Sequence, residues 1–360
     1  MRALLRNGVR PVLAGRNADR LNTVAQQVHV EFPDQDVLDT VVADATNRRS
    51  VAGLLSGPED VLITTVGPFL DLGEAPVAAA TDAGAGYLDS TGEPPFIKRV
   101  FEAYGPRAEG TGARLLPAFG YDYVPGALAA TIAIRRSMAG ARPPARVDVG
   151  YFSKGRVASS AGTRASMAGV LLADSFARHG GYLRNERPGA RVRSFDTGDG
   201  RSYEGLSVGG IEHLTLHRLA PSLRDVNVYL GAAGRLTRAA SVAGVATAGA
   251  ARVPLLGGAV SSLARSAAGP GSRGGPDEAT RAQARTLCIA ETFDSDGQLQ
   301  DRVRVEGPSP YDLTALLLAW GAHMVLSGAT RGTGALGPAD AFGTEAFVSG
   351  CMALGLAEVH

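Results

Sequence analysis

Apolar and polar positions follow two different rhythms in the first 118 residues. Short runs rich in apolar residues predict five strands, at residues 11–14, 36–43, 61–66, 86–89 and 114–117. The segments between them carry apolar residues at helical spacing and predict helices at 17–29, 48–55, 73–83 and 96–104. Strands that alternate with helices favour a parallel sheet with right-handed crossovers. The β-branched run 61–66 predicts a strand buried on both faces.

After residue 125 the pattern becomes that of a mixed α and β region. Helices are expected at 127–137 and 159–178, and a half-buried strand at 146–152. Two pairs of strands flank Asp-Gly turns and predict hairpins, at 191–206 and 287–306. These signals predict an antiparallel sheet with helices on one face. The Gly- and Pro-rich segment 265–276 predicts a surface loop.

Local capping signals mark two helix starts. Asn17 is the expected N-cap of the helix at 17–29. Ser309, Pro310 and Asp312 suit the N-cap, first and third positions of a helix that runs to about residue 327. That helix is mostly apolar, so we expect it to be buried between domains.

A chain of 360 residues exceeds the usual size of one domain. The expected division is 1–125, 126–308 and 309–360. The first part is a Rossmann-like α/β domain, the second an α+β domain that contains an antiparallel sheet. The third consists of helices that pack back on the first.

The beginning of the chain matches the second half of a dinucleotide-binding βαβ unit. A helix end, a Gly8 cap, a strand and the turn Gly15-Arg16-Asn17 follow one another. The first strand and the glycine loop of such a unit would therefore lie before residue 1. We expect a Rossmann-type sheet that lacks this strand and has a defect in its place.

The turn after the first predicted strand offers contacts for a cofactor. An acidic residue there selects NAD, whereas an arginine such as Arg16 pairs with the 2′-phosphate of NADP. Arg16 and Asn17 are therefore candidate cofactor-binding residues, and an exposed loop arginine is the alternative. Asp44 ends the next strand, where it can reach an adenine or cap a helix.

Two further strand ends complete the predicted cofactor site. Val66, Gly67 and Pro68 follow the third predicted strand, and the glycine lets a ligand approach the backbone closely. Asp89 ends the fourth strand and begins a cluster of carboxylates and hydroxyls. Open α/β sheets bind ligands at such strand ends. Turn capping is the alternative role for Asp89.

The segment 119–125 lies at the predicted domain boundary and offers proton donors. Tyr121 and Asp122 are the candidate catalytic residues by type and location, with Tyr123 beside them. Turn capping is an equally weighted role for Asp122. His213 and His217 resemble metal ligands, but an expected strand would separate them by roughly 13 Å. No metal site is therefore expected.

Composition indicates which partners and which cellular location to expect. The net charge is +1 and no dense basic run occurs, which argues against nucleic-acid binding. Cys288 and Cys351 match no metal or redox spacing, and no signal peptide is recognised, so we expect a cytoplasmic protein. The Ala-rich segment 236–263 is interrupted by charges, which favours a buried helix pair over a membrane span. An acyl-chain groove or peripheral membrane contact is the alternative there.

Six motifs in order resemble one family along essentially the whole chain. They resemble the saccharopine dehydrogenase-like oxidoreductases, and in particular their trans-acting enoyl reductase branch. The motifs are Leu-Ala-Gly-Arg-Asn17, Thr-Val-Gly-Pro-Phe69, Tyr-Leu-Asp-Ser-Thr-Gly-Glu93, Phe-Gly-Tyr-Asp-Tyr-Val-Pro125, Pro-Tyr-Asp-Leu-Thr314 and Ala-Phe-Gly343.

The resemblance implies an oxidoreductase with NADPH as its cofactor. It also implies an enoyl or acyl-chain substrate from polyketide, lipid or glycolipid biosynthesis, and a polyketide synthase as partner. Members of this family carry a Gly-x-x-Gly-x-x-Gly-type loop near the N-terminus, and this chain departs from them there. A non-catalytic binding protein is therefore one alternative.

An amino-acid dehydrogenase is the other alternative. It would bring at least two of three arginines to the cleft to hold carboxylates, whereas an acyl chain needs an apolar groove. The three arginines are Arg156, Arg164 and Arg178. The expected groove residues are Met167, Leu171 and Leu172.

Overall fold

The computed structural model describes residues 1–140, 142–155, 174–231 and 275–360. The α-helices are α1 Arg2–Arg6, α2 Ala18–Glu31, α3 Arg48–Ala52, α4 Phe69–Leu72, α5 Glu74–Ala83, α6 Pro94–Arg99, α7 Gly105–Thr111, α8 Val124–Met138, α9 Glu212–Thr215, α10 Glu278–Gln283, α11 Pro310–Leu326, α12 Pro338–Phe342 and α13 Thr344–Ala353. A π-helical turn, Val100–Tyr104, joins α6 to α7, and a 3-10 turn, Leu216–Arg218, follows α9.

The described strands form three sheets. The strands are β1 Leu13–Gly15, β2 Thr40–Val42, β3 Val61–Thr64, β4 Gly86–Asp89, β5 Arg114–Leu116, β6 Arg146–Lys154, β7 Ser175–His179, β8 Tyr182–Glu186, β9 Val192–Asp196, β10 Ser202–Ser207, β11 Asp225–Gly231, β12 Arg285–Phe293, β13 Leu299–Gly307, β14 Gly334–Ala335 and β15 Ala357–Val359.

The parallel strands divide into two separate sheets. β1 pairs with β2, and β3, β4, β5 and β14 form a four-stranded sheet in the order β14-β5-β4-β3. Among the described strands no backbone pairing joins β1 or β2 to β3. The expected break in a Rossmann-type parallel sheet is therefore confirmed.

β3 is less buried than its sequence suggests. Val61, Leu62 and Ile63 are half-buried, and only Thr64 is fully buried. The expectation of a strand buried on both faces is therefore wrong. The reason is its position, because β3 is the last strand of the four-stranded sheet and pairs on one side only.

The two-stranded sheet has its own small core beneath α2. Leu13 of β1 packs with Ala25 and Val28 of α2 and with Leu38. The side chain of Asn17 accepts a hydrogen bond from the Arg20 amide at 2.9 Å, which confirms it as the N-cap of α2.

A nine-stranded mixed sheet forms the other half of the fold. Its main path runs β15-β13-β12-β6-β11-β10-β9, with β7 and β8 attached at β11. Both predicted hairpins are confirmed, as β9–β10 and β12–β13. The sheet is not purely antiparallel, because β11 lies parallel to β6.

The main hydrophobic core lies between the parallel and the mixed sheets. It joins α8, α11, β6 and β12 through buried residues that include Leu128, Val149, Cys288 and Leu317. Ser309 caps α11 as predicted, accepting from the Asp312 amide at 3.3 Å. Burial of this apolar surface is the principal stabilising contribution to such an arrangement.

The mixed sheet curls so that its two ends approach. Asp196 of β9 forms ion pairs of 3.0 Å with both Arg302 and Arg304 of β13. Inside the curl, the ring of Phe195 packs against Phe152 and Tyr229 at centroid distances of 5.6 Å. Side chains therefore join two strands that share no backbone pairing.

Two predicted elements differ from the structure. Residues 175–179, expected at the end of a helix, form β7, and residues 212–218, expected as a strand, form α9 and the 3-10 turn. The segments 156–173 and 232–274 lie outside the described residues, and with them most of the expected helix at 159–178, the 236–263 segment and most of the 265–276 loop. No helix within the described ranges is long and apolar enough to cross a membrane.

Candidate active site

The carboxyl ends of β1 and β2 bring two of the predicted residues into electrostatic contact. Arg16 is exposed and forms no hydrogen bond or ion pair with the described residues. The carboxyl of Asp44 accepts from the Thr46 amide at 2.9 Å and from its hydroxyl at 2.8 Å. These bonds lower the pKa of Asp44, and the charge of Arg16 lowers it further. Asn17 lies beside them, but its side-chain Oδ1 caps α2 by accepting from the Arg20 amide.

The turn after β3 presents an exposed main chain at the carboxyl end of that strand. Val66 is 44% exposed. The Gly67–Pro68 peptide bond is cis, and Pro68 is the N-cap of α4. A glycine in this turn leaves the backbone accessible, as a ligand that lies against it would require.

Glu93 joins the turn after β3 to the loop after β4. Its carboxylate accepts from the amides of Phe69 at 2.8 Å and Leu70 at 2.9 Å, the first amides of α4. Glu93 is only 3% exposed. This contact fixes two strand ends relative to each other, and the sequence does not indicate it, since 23 residues separate Glu93 from Leu70.

Asp89 is buried beneath the edge. The residue is 0% exposed, and one carboxyl oxygen accepts from the Thr91 amide at 2.9 Å and the Ala118 amide at 2.7 Å. Burial raises the pKa of Asp89 to about 6, although these hydrogen bonds act in the opposite direction. In this position Asp89 holds the turn after β5, and its predicted contact with a cofactor stays a prediction.

Tyr121 points towards the mixed sheet. Its hydroxyl lies 3.2 Å from the carbonyl oxygen of Phe152 and 3.0 Å from the Ser153 hydroxyl, and its amide donates to the Thr314 hydroxyl at 3.0 Å. Burial, and to a lesser extent the neighbouring Cys288 thiol, raises the pKa of Tyr121. Tyr121 is therefore held in its neutral, protonated form.

Asp122 is the more accessible of the two candidate donors. It is exposed, yet one carboxyl oxygen lies so close to Gly92 that a Cβ added there would stand 2.9 Å away. One side of the carboxyl is thus open and the other packed against protein. This partial enclosure raises the pKa of Asp122 to about 6 by desolvation. The carboxyl can therefore hold or release a proton near neutral pH.

Tyr123 connects this turn to the region between the sheets. It is 4% exposed, and its hydroxyl lies 3.3 Å from the Gly92 carbonyl oxygen and 3.1 Å from that of Gly209. Burial raises the pKa of Tyr123, with smaller contributions from Asp122 and Glu212. Glu212, for which the sequence indicates no role, lies near Tyr123 in this region between the sheets.

His213 and His217 are neutral. Burial lowers the pKa of His213 to about 3 and that of His217 to about 4. The Nδ1 of His213 accepts from the Gly210 amide at 3.0 Å. The separation of roughly 13 Å expected for a strand does not apply to His213 and His217, because both residues lie in helical turns. Within the described ranges, no three His, Cys, Asp or Glu residues are grouped to hold a metal ion.

Arg178 binds the protein's own main chain. Its Nε donates to the His213 carbonyl oxygen and its Nη1 to that of Gly181, both at 2.7 Å. These bonds hold the guanidinium of Arg178 between α9 and the turn that joins β7 to β8. The other arginines and the apolar residues named for the cleft, at 156–172, lie outside the described residues.

Comparison with known proteins adds relatives in sequence and in fold. No protein-family model matches the chain. It is 34% identical over 165 residues to a protein of Mycobacterium tuberculosis named as a trans-acting enoyl reductase. It is 34% identical over 116 residues to a protein of Arabidopsis thaliana named as a saccharopine dehydrogenase-like oxidoreductase. The chain is related to these two groups of proteins.

The extent of these matches differs between sequence and structure. The first match spans 45% of this chain and 38% of the relative, and the second 32% and 25%. Saccharopine dehydrogenase (L-Glu forming) of Saccharomyces cerevisiae matches in structure with a TM-score of 0.57 and 11% identity, over 99% of this chain and 95% of that chain. The structural match confirms the fold class, and the sequence matches confirm the resemblance.

Proposed function

We propose that this chain is an NADP-dependent oxidoreductase that reduces the enoyl group of a polyketide- or lipid-derived precursor. The observation that carries the proposal is the edge formed by the carboxyl ends of the parallel strands. Arg16, exposed and without a hydrogen bond or ion pair among the described residues, lies at the carboxyl end of β1, and Asp122, an exposed acid with a raised pKa, lies in the turn after β5. The names of the curated relatives support the reaction class.

The strand-end residues suit a dinucleotide with a 2′-phosphate. The exposed guanidinium of Arg16 can pair with that phosphate, whereas a carboxylate would repel it. Asp44 follows β2 and the main chain at Gly67–Pro68 follows β3, so both lie at carboxyl ends of parallel strands, the kind of position where α/β sheets bind such ligands. Arg16, Asp44 and the Gly67–Pro68 main chain would hold the dinucleotide, which when bound would supply a hydride to one carbon of the double bond and leave as NADP⁺.

Asp122 then supplies the proton that completes the reduction. Its carboxyl gives the proton to the neighbouring carbon and becomes a carboxylate, which regains a proton from water. Tyr121 suits this role less well, because its hydroxyl already lies against the Phe152 carbonyl and the Ser153 hydroxyl. Tyr121 instead fixes the turn that carries Asp122.

The proposal extends to the setting of the reaction. The Mycobacterium tuberculosis relative is named trans-acting, which supports an acyl substrate carried by a separate protein such as a polyketide synthase. The reaction would serve lipid or glycolipid biosynthesis. We place it in the cytoplasm, with peripheral membrane contact where the acyl chain requires it.

The test is the pH dependence of NADPH oxidation with an enoyl thioester. A general acid works in its protonated form, so the rate should fall as the pH rises through about 6, the raised pKa of Asp122. Asp122→Asn should lower the rate about 100- to 10,000-fold and remove this pH dependence. Glu345→Gln, at an exposed position in α13, is the matched control and should retain both.

Two results would contradict the proposal. If Asp122→Asn oxidises NADPH as fast as the unchanged protein does, Asp122 is not the proton donor. Faster NADPH oxidation with a 2-oxo acid and ammonia than with the enoyl thioester would establish the amino-acid dehydrogenase alternative.

A further inference from the structure

Glu212 is a buried acid beside the turn that carries Asp122. It is 0% exposed and lies in α9, between the mixed sheet and α8. Its Oε1 contacts the Tyr151 hydroxyl, and its Oε2 has no hydrogen-bond partner within the described residues. No arginine, lysine or histidine of the described ranges forms an ion pair with it. A buried carboxylate without a cation is costly, so its protonation state matters.

The Tyr151 hydroxyl bears on the protonation state of Glu212. It contacts two oxygens, that of Glu212 and the Tyr123 carbonyl at 2.6 Å, but it has one proton to donate. The carbonyl oxygen of Tyr123 can only accept. Both contacts are therefore hydrogen bonds only if Tyr151 donates to Tyr123 and a protonated Glu212 donates to Tyr151.

The groups that face Glu212 agree with this assignment. Burial raises the pKa of Glu212 to about 8. The titratable neighbours are Tyr151 of β6, Tyr123 at the start of α8 and the Cys288 thiol of β12, and burial raises the pKa of each of them. All of these groups are therefore neutral at pH 7, and none supplies a positive charge that would hold Glu212 ionised.

Glycines let these groups approach closely. A Cβ at Gly126 would collide with the Tyr151 hydroxyl, and a Cβ at Gly210 would collide with Glu212 and with the ring of Tyr123. The two glycines thus leave room for the series Glu212, Tyr151 and Tyr123. Its last member is the residue after Asp122.

We propose that Glu212, as a neutral carboxylic acid, is a positioning residue for the Tyr121–Asp122 turn. It orients the Tyr151 hydroxyl, which in turn holds the Tyr123 carbonyl and with it the exposed carboxyl of Asp122. The catalytic consequence rests on the proposed function, whereas the protonation and the restraint of the turn do not. Ionisation of Glu212 would leave two oxygens without a proton between them, and the turn would loosen.

Hydrogen–deuterium exchange of the peptide that covers residues 118–124 tests the restraint directly. Exchange should be slow at pH 7 in the unchanged protein and in Glu212→Gln, whose neutral amide can donate to Tyr151. In Glu212→Ala and Tyr151→Phe it should be faster about 10-fold or more, since a lost hydrogen bond of about 1.5 kcal/mol corresponds to that factor. Above pH 8 the unchanged protein should lose its protection from exchange at this peptide and at no other. Glu212→Gln should keep that protection.

The infrared band of a protonated carboxylic acid gives an independent readout. It should be present at pH 7, disappear above pH 8 and be absent from Glu212→Gln. The proposal is overturned if that band is missing at pH 7, or if Glu212→Gln loosens the turn as much as Glu212→Ala. Tyr151→Phe decides the matter if Glu212→Ala does not fold, because its ring still fills the core.

Activity separates this proposal from the proposed function. If the protein reduces an enoyl thioester, Tyr151→Phe should lower kcat about 10- to 100-fold with little change in the KM for NADPH, because the donor alone is displaced. An unchanged kcat would contradict the positioning role. If no reductase activity is found in any variant, exchange and infrared results still decide whether Glu212 is protonated and restrains the turn.

Discussion

At the scale of single residues, Ala118 has a backbone conformation that its side chain disfavours. Its φ is +57°, and among the described residues it is the one non-glycine with a positive φ. Asp89 holds the turn by accepting two hydrogen bonds of 2.7 Å, from the Ala118 amide to its carboxyl and from the Phe119 amide to its main-chain carbonyl oxygen. Strain of this kind collects where a turn must present functional groups, and Asp122 lies four residues further on.

Replacing Ala118 with glycine should therefore not destabilise the protein. Relief of the left-handed strain offsets the greater freedom of glycine in the unfolded chain and the loss of the buried Ala118 methyl group, so the net change should be close to zero. Ala315→Gly, at an exposed position inside α11, should instead lose about 1 kcal/mol. Urea unfolding measures both. A loss at Ala118 equal to that at Ala315 would show that the left-handed conformation carries no strain.

The residue scale also shows which features sequence can reveal. The caps Asn17 and Ser309 were predictable because a cap and the amide it accepts from lie three residues apart. The turn at Ala118 was not, because its partner Asp89 lies 29 residues away. Tyr121 and Asp122 were identified as donors by type, but only the structure shows that one is enclosed and the other exposed.

At the scale of elements, Glu93 couples the ends of two strands. Glu93→Ala would leave the Phe69 and Leu70 amides of α4 without their acceptor, and should cost about 2–4 kcal/mol because both bonds involve a charged, buried group. Glu345→Ala, in the exposed first turn of α13, is the control and should cost less than about 1 kcal/mol. Thermal unfolding of the two variants gives the comparison.

An equal, small loss in both variants would contradict this account of Glu93. The turn at Gly67–Pro68 would then be held by other contacts. A large loss for Glu93→Ala alone would show that the two strand ends are joined through this carboxylate.

Elements formed by local signals were predicted and those formed by distant contacts were not. The β9–β10 and β12–β13 hairpins follow from their Asp-Gly turns. The parallel pairing of β6 with β11 joins residues about 80 apart and leaves no local trace. The segment 212–218 alternates like a strand, but it forms helical turns that place Glu212 and His213 in the interior.

At the scale of the whole molecule, the candidate site lies where the parallel strands end and the mixed sheet begins. The main core joins α8 and α11 to both sheets, so the turn at 118–124 is held from two sides. The alternation of strands and helices predicted the parallel strands, and the likeness of residues 1–17 to the second half of a βαβ unit predicted the break in their sheet. The curl of the mixed sheet depends on ion pairs between β9 and β13, over 100 residues apart, and the sequence gives no sign of it.

The central claim is that Arg16 selects NADPH at the strand ends, and a binding titration tests it most directly. The dissociation constants of NADPH and NADH are measured for the 360-residue chain, for Arg16→Ala and for the control Arg20→Ala, an exposed arginine of α2. At constant ionic strength, NADPH should bind more tightly than NADH. Arg16→Ala should weaken NADPH binding about 10- to 100-fold, the worth of a charge-assisted hydrogen bond, and leave NADH unchanged. Equal affinities for the two cofactors, or no loss in Arg16→Ala, would contradict the claim.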